Sequence, residues 1–302
     1  MSIADLIINL YGSLYNRKRI PIFVFSPFRY VLRIAANKIL PMIYNKSISP
    51  SRKNQLQNDK IIVSLTSFPA RIDSVWLVIE SMLRQTIVPY KIILWLSKDQ
   101  FESVECLPES LKKRQNDIFE IKLVEGDFRS HKKYLYAFIN FPDNPVITVD
   151  DDIFYPSTLI ESLYKQHLKT PNDIVCRYAR RIKYDLNGFR LPYSQWSDRY
   201  DYIGSDVFFG SGGGTLFVPN KLFKDVTNVK LSMKLCPLAD DVWLNAMVRL
   251  NGLSVVPVTR NLILPIFSKS NESLSSVNVL QDFNDVQINN IINHYKKDLF
   301  GR

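Results

Sequence analysis

Cysteine is scarce in this 302-residue chain, with three residues, and so is histidine, also with three. Cys106, Cys176 and Cys236 are widely separated and form no CxxC or Cys/His zinc spacing. A disulfide framework and a zinc module are excluded on that basis. A reducing compartment is expected, with the cysteines acting as small apolar side chains. No uninterrupted apolar run reaches the roughly 20 residues that cross a bilayer. No secretory leader is expected, because the charges of MSIADLIINLYGSLYNRKR follow its apolar stretch instead of preceding it. Internal repeats and extended low-complexity segments are also missing, which argues against a repeat architecture.

What is present fits a globular domain. Apolar residues make up 46% and charged residues 23% of the chain, enough for one large α/β domain or two small ones. The formal charge of +10 is unevenly spread: residues 1–60 hold ten Lys/Arg against two Asp, and the remainder is close to neutral. Such a basic segment can face nucleic acid or anionic lipid. Ile3, Leu6, Ile7, Leu10, Tyr11 and Leu14 follow helical spacing. Arg17, Lys18 and Arg19 come next, and PIFVFSPFRYVLRIAANKILPMIY then mixes aromatic, aliphatic and basic residues. Residues 1–45 can therefore lie in a membrane interface as a peripheral contact, or cover the protein's own core. The polar stretch 45–59 reads as a linker. The expected division is a basic amphipathic N-terminal segment with linker over 1–55 and the main folded domain over 56–302.

From Lys60 onward strands and helices alternate. Strands are predicted at Ile61–Leu65, Lys91–Leu96, Phe119–Val124 and Pro145–Val149. Helices are predicted at Asp73–Gln85, with Asp73 as N-cap, at Lys132–Ile139, and at Pro156–Leu168 with proline in the first turn. This pattern implies a mixed, mostly parallel sheet flanked by helices. Ligands bind such sheets beyond the carboxyl ends of the strands.

The fourth strand runs into Asp150, Asp151 and Asp152 in VITVDDDIFYP. In an extended chain alternate side chains point the same way, so Asp150 and Asp152 would share a face while Asp151 points elsewhere. Adjacent carboxylates repel, and a hard divalent cation with oxygen ligands offsets that cost. The plain alternative is a solvated acidic turn. Asp240 and Asp241, at the start of a predicted helix closed by Gly252, can simply be favoured by the helix dipole. Gly210, Gly212, Gly213 and Gly214 in FFGSGGGTLFVP can let backbone approach a ligand, or form a bulged strand. No Lys-Ser/Thr pair follows them, so this is not a phosphate-cradling P-loop.

Taken in order, these features resemble a family. Asp150-Asp151-Asp152 resembles the DxD motif of glycosyltransferases with the GT-A (Rossmann-like) fold. IIVSLTSFPARI resembles their first strand and nucleotide-contacting loop, and IESMLRQT with PYKIILWLS resembles the next helix and strand. Over roughly residues 60–260 the likeness is to bacterial family-2-like transferases that build capsule or lipopolysaccharide glycans. The resemblance implies a nucleotide-sugar donor, most readily a UDP-sugar, a glycan or lipid-linked glycan acceptor, and Mn2+ or Mg2+ held by Asp150 and Asp152, with Asp152 the first choice for direct contact. It implies that Asp241, with Asp240 second, deprotonates the acceptor hydroxyl and that transfer inverts the anomeric centre. Residues expected around the nucleotide sugar are Thr66, Ser67, Arg71, Asp127, Arg129, Lys132, Lys133, Asp150, Asp151, Gly212, Gly213 and Gly214. For the basic ones a solvated surface is the alternative. Trp196 and Trp243 can stack on a sugar or belong to the core.

The chain departs from the family in its late histidine, a third metal ligand in many relatives. Here the nearest counterpart is His294, which reads better as a surface residue. Two other readings stay open. A sugar-nucleotide nucleotidyltransferase has a similar architecture, but its loop after the first strand is Gly-rich, and Thr66–Arg71 contains no glycine. A basic nucleic-acid-binding protein is the other, without any zinc-finger or RNA-recognition signature to support it; no nucleic-acid partner is expected. A cytoplasmic location is expected, at the inner membrane face if residues 1–45 bind lipid.

Overall fold

The computed structural model describes residues 2–14, 26–46, 56–197, 204, 206–258, 263–267 and 283–301. Arg17–Arg19 and most of the expected linker lie outside the described residues. Two helices come first, α1 (Ile3–Ser13) and α2 (Ser26–Lys46). The alternating part follows as β1 (Leu56–Thr66), α3 (Val75–Leu83), β2 (Ile87–Ser97), α4 (Glu109–Lys112), β3 (Phe119–Val124), α5 (Lys132–Asn140) and β4 (Val146–Val149). Then come β5 (Ile153–Phe154), α6 (Leu159–Lys169), β6 (Ile174–Cys176), β7 (Ala179–Arg181), β8 (Val207–Phe209) and β9 (Gly213–Phe217). The chain continues through α7 (Val229–Leu235), α8 (Asp240–Leu250), β10 (Val255–Pro257), β11 (Leu264–Pro265) and α9 (Phe283–Tyr295).

Seven strands form one sheet in the order β10-β6-β9-β4-β1-β2-β3. Its pairings are parallel except those of β9, which runs antiparallel to β4 and β6. This is the mixed, mostly parallel sheet flanked by helices that the sequence predicts. Alternation along the strands builds its two cores. Ile61, Val63 and Leu65 of β1 face a layer that includes α3 and α6, while Ile62 faces α5, α8 and α9. In β2, Ile92, Leu94 and Leu96 go one way and Ile93 and Trp95 the other. Each such fully buried side chain contributes about 1.5–3 kcal/mol relative to exposure.

Several boundaries differ from expectation for reasons of pairing. β1 starts at Leu56, inside the expected linker, because Leu56–Asn58 pair with Ile87–Pro89 of β2 before a register shift at Asn58/Ile62. Asp73 is not the cap of α3. Residues 69–74 form turns, and Ser74 at the cap position returns its hydroxyl to the Arg71 carbonyl at 3.0 Å. α6 starts at Leu159, since Leu159 N closes a turn onto Pro156 O. The inner residues of the N-terminal helices, Ala4, Ile8, Ala36, Leu40 and Tyr44, join the same apolar core as α3. No helix among the described residues is long and apolar enough to cross a membrane.

Parallel strands share a direction, so the carboxyl ends of β1, β2, β3 and β4 gather on one edge. The start of antiparallel β9 lies among them.

Candidate active site

The buried apolar strand β4 ends at Val149. Asp150 N donates to the Gly212 carbonyl at 3.1 Å and to the Tyr155 hydroxyl at 2.8 Å, and the chain turns at Asp151 and Asp152. Extended geometry is therefore lost where the alternation argument needs it. Asp151 and Asp152 share one cation: Arg71 Nη1 lies 2.8 Å from Asp151 Oδ1 and 2.9 Å from Asp152 Oδ2. Asp151 also accepts from Ser67 Oγ at 2.6 Å. Its side chain is 8% exposed, against 40% for Asp150 and 33% for Asp152. The turn thus leaves Asp150 and Asp152 open and closes Asp151 onto the β1 loop.

The second acidic pair comes to the same place. α8 brings Asp240 and Asp241 in at its first turn, behind Ala239, which caps the helix without a side-chain bond. Lys133, buried on α5, bridges the two motifs with its ammonium 2.8 Å from Asp150 Oδ1 and 2.9 Å from Asp240 Oδ2. Ser211 Oγ sits 2.7 Å from Asp240 Oδ2 and 2.6 Å from Asp241 Oδ1, and Ser211 N donates to Asp241 Oδ1 at 2.7 Å. The carboxylates are thus engaged by side chains of other segments, which a helix-dipole preference does not require.

Their environments push the two acids apart. Burial and the neighbouring Asp240 charge raise Asp241 to about 7. Burial pushes Asp240 up as well, but Lys133, His131 and Ser211 outweigh it and hold Asp240 below its usual range. The Ser211 hydroxyl has one proton to share between the two carboxylates. Burial and the Asp150 charge raise Asp152 to about 6 against the pull of Arg71. Lys133 is raised in turn, its burial overcome by Asp150, Asp240 and Asp241.

The glycines make room for side chains of this chain. A Cβ on Gly212 would overlap the Asp150 carboxylate. At Gly210 and Gly213 it would meet Tyr178, at 2.7 and 2.5 Å, and at Gly214, where φ is +98°, it would meet Leu159. A register shift between β4 and β9 at Thr148/Val149 marks the bulge. Gly212→Ala is expected to turn Asp150 away from Lys133 and to cost about 1–3 kcal/mol; thermal denaturation compared with wild type checks it.

Other expected residues are placed nearby or tied elsewhere. Thr66 Oγ1 donates to Trp95 O at 2.8 Å. Lys132 is buried and pairs with Asp127, which also accepts from Gln100 Nε2 at 2.8 Å, while Arg129 is exposed with φ of +51°. Trp196 and Trp243 are buried core residues whose indoles donate to Leu191 O and Val226 O. The aromatic near Asp241 is Tyr178, which the sequence does not single out, nor does it single out Ser211 and Tyr155. Gly210 lies between Tyr178 and Asp241: a Cβ there would press on the Tyr178 ring and lie 3.8 Å from Asp241 Oδ2. His294 is exposed and packs its ring edge-on to Tyr295.

No group of three His, Cys, Asp or Glu side chains in metal-holding geometry is found among the described residues. The donor chemistry nevertheless fits a hard divalent cation. Asp150 and Asp152 are partly exposed carboxylates, and four of the five acids of the two motifs, Asp150, Asp151, Asp152 and Asp240, share two cations, Arg71 and Lys133.

No protein-family model matches the sequence. A search of curated proteins finds no relative. Among solved structures, one similar chain is the mannosyltransferase PcManGT from Pyrobaculum calidifontis in complex with GDP-Man and Mn2+, 12% identical, with a TM-score of 0.44, covering 88% of this chain and 75% of that one. Another is UDP-glucose pyrophosphorylase complexed with UDP-glucose, 9% identical, with a TM-score of 0.39, covering 78% of this chain and 98% of that one. Likeness at this level leaves the chemistry to be read from the site itself.

Proposed function

We propose that this chain is an inverting glycosyltransferase that moves a sugar from a nucleotide-sugar donor, a UDP-sugar first, to a hydroxyl of a glycan or lipid-linked glycan. The observation that carries the reading is the convergence of two acidic motifs on one ammonium, Lys133, with Asp241 raised to about 7 beside them. A general base works best with a pKa near the working pH. Asp241 takes the proton of the acceptor hydroxyl as its oxygen bonds the anomeric carbon. The bond from that carbon to the diphosphate breaks, and the electron pair leaves with the diphosphate. Asp240, held ionised by Lys133, keeps Asp241 basic, and Ser211 orients it. Tyr178 offers an aromatic wall for a sugar ring. Arg71 and Ser67 fix Asp151, and through it the turn. Asp150 and Asp152 would hold Mn2+ or Mg2+, which when bound offsets the charge of the leaving diphosphate. Thr66, Asp127, Arg129 and Lys132 line the approach from β1 and β3 in this reading. A lipid-linked acceptor would place the work at the inner face of the cytoplasmic membrane, in capsule or lipopolysaccharide synthesis.

The test is a donor-hydrolysis screen over nucleotide sugars with Mn2+, Mg2+ or chelator. Asp152→Asn is expected to lower metal-dependent turnover by on the order of 100-fold or more with the fold intact by circular dichroism. Full activity in that variant would sink the assignment. Release of pyrophosphate from a nucleoside triphosphate and a sugar phosphate would favour a nucleotidyltransferase instead.

A further inference from the structure

The N-terminal helices have two faces of different character. Inward, Ala4 and Ile8 of α1 and Ala36, Leu40 and Tyr44 of α2 are buried in the core. Outward, Ile3, Leu6 and Leu10 recur at helical spacing and are 66%, 53% and 43% exposed. On α2, Phe28, Val31 and Met42 are 51%, 62% and 59% exposed. Sixteen large apolar side chains are exposed among the described residues, and eight of them lie on these two helices. Scattered exposure needs no explanation, but such concentration marks an interaction surface.

Charge selects the partner. α2 has no acidic residue; Lys38 and Lys46 are exposed and Arg29 is half-buried, while Arg33 packs its guanidinium over the Phe267 ring at 4.6 Å. The single acid of α1, Asp5, is turned inward, accepting from Ser157 N at 2.8 Å and bonded to Ser2. The outward surface is therefore apolar and cationic, which suits anionic headgroups over an apolar layer. A second copy of the chain would bring like charges together. Neither helix is long and apolar enough to span a bilayer.

We propose that the outward faces of α1 and α2 seat this protein on an anionic lipid bilayer. The seat is tied to the active site. Asn37 donates from Nδ2 to Pro265 O at 3.0 Å and accepts from Phe267 N at 2.7 Å. Pro265 pairs with Ile153 of β5, and Ile266 N donates to Asp152 O at 2.7 Å. Lipid contact therefore orients the aspartate turn relative to the membrane. The surface itself stands without the transferase reading; only its use in presenting a lipid-linked acceptor rests on that reading.

Flotation of the full chain with phosphatidylcholine–phosphatidylglycerol vesicles, and with phosphatidylcholine alone, tests this. Binding is expected to the anionic vesicles, weakening with added salt. Leu6→Glu and Val31→Glu replace exposed side chains, so circular dichroism should match wild type while partitioning falls roughly tenfold or more. Wild-type failure to float with anionic vesicles, or variants that bind as wild type does, overturns the proposal. So does a wild-type dimer in solution that Leu6→Glu dissociates, which would make this face a contact between copies. Hydrolysis of a water-soluble nucleotide sugar is followed in the same samples and should survive Leu6→Glu. Flotation without any wild-type hydrolysis would count against the transferase reading alone.

Discussion

Asp241→Asn is expected to lower kcat by about 10²–10⁴-fold, the usual contribution of a positioned general base, while donor affinity changes little. The asparagine preserves shape and the Ser211 N–H bond to the side-chain oxygen, but it cannot take a proton. The wild-type pH profile provides a second readout. With Asp241 raised to about 7, the carboxyl is protonated below that value and the rate should climb with pH through it as one group ionises. In Asp241→Asn that limb should disappear. Transfer and donor binding falling equally would show that Asp241 holds substrate and does not act as base. A profile that keeps the limb in the variant would assign the titration to another group.

Lys133→Met is expected to destabilise the fold by about 3–5 kcal/mol, because removing one partner leaves buried charge uncompensated. Its side chain is 4% exposed and lies 2.9 Å from buried Asp240, where solvent screening is slight; the arm to Asp150, 40% exposed, contributes less. Tm should fall on the order of 10 °C for a domain of this size. The sign with pH follows from Asp240, whose folded value lies below the usual 3.8. Its ionisation contributes stability above that value and loses it as pH falls through the depressed folded value. The gap between wild type and Lys133→Met should therefore narrow in acid. Adding Asp240→Asn to Lys133→Met removes one of the stranded charges and should recover part of the loss. A neutral Lys133→Met would mean that the carboxylates are compensated otherwise, and the bridging role would fall.

Both variants probe a link that exists only in three dimensions. Lys133 lies 17 residues from Asp150 and far from Asp240 along the chain. No local pattern marks a lysine in KKYLYAFIN as a bridge instead of a surface charge. The glycines show the same limit. Their clustering is plain in the sequence, but the side chains that fill the space, Asp150 and Tyr178, come from the end of β4 and from the segment after β6.

Short apolar runs and helical spacing from Ile61 onward are enough to place β1 to β4 and the helices α3, α5, α6 and α8, since such burial patterns are written locally. They also put Asp150–Asp152 at a strand end and Asp240–Asp241 at a helix start. Tertiary structure decided the rest. Pairing with β2 drew Leu56–Asn58 into β1 against their polar setting. The Tyr155 and Gly212 bonds ended the extended geometry at Asp150, so the turn, and not alternation, leaves Asp150 and Asp152 open. Packing of Lys133 and Ser211 set which acid stays ionised and which is raised. Ionisation depends on burial and on charges brought from distant segments, and those quantities exist only once the chain has folded.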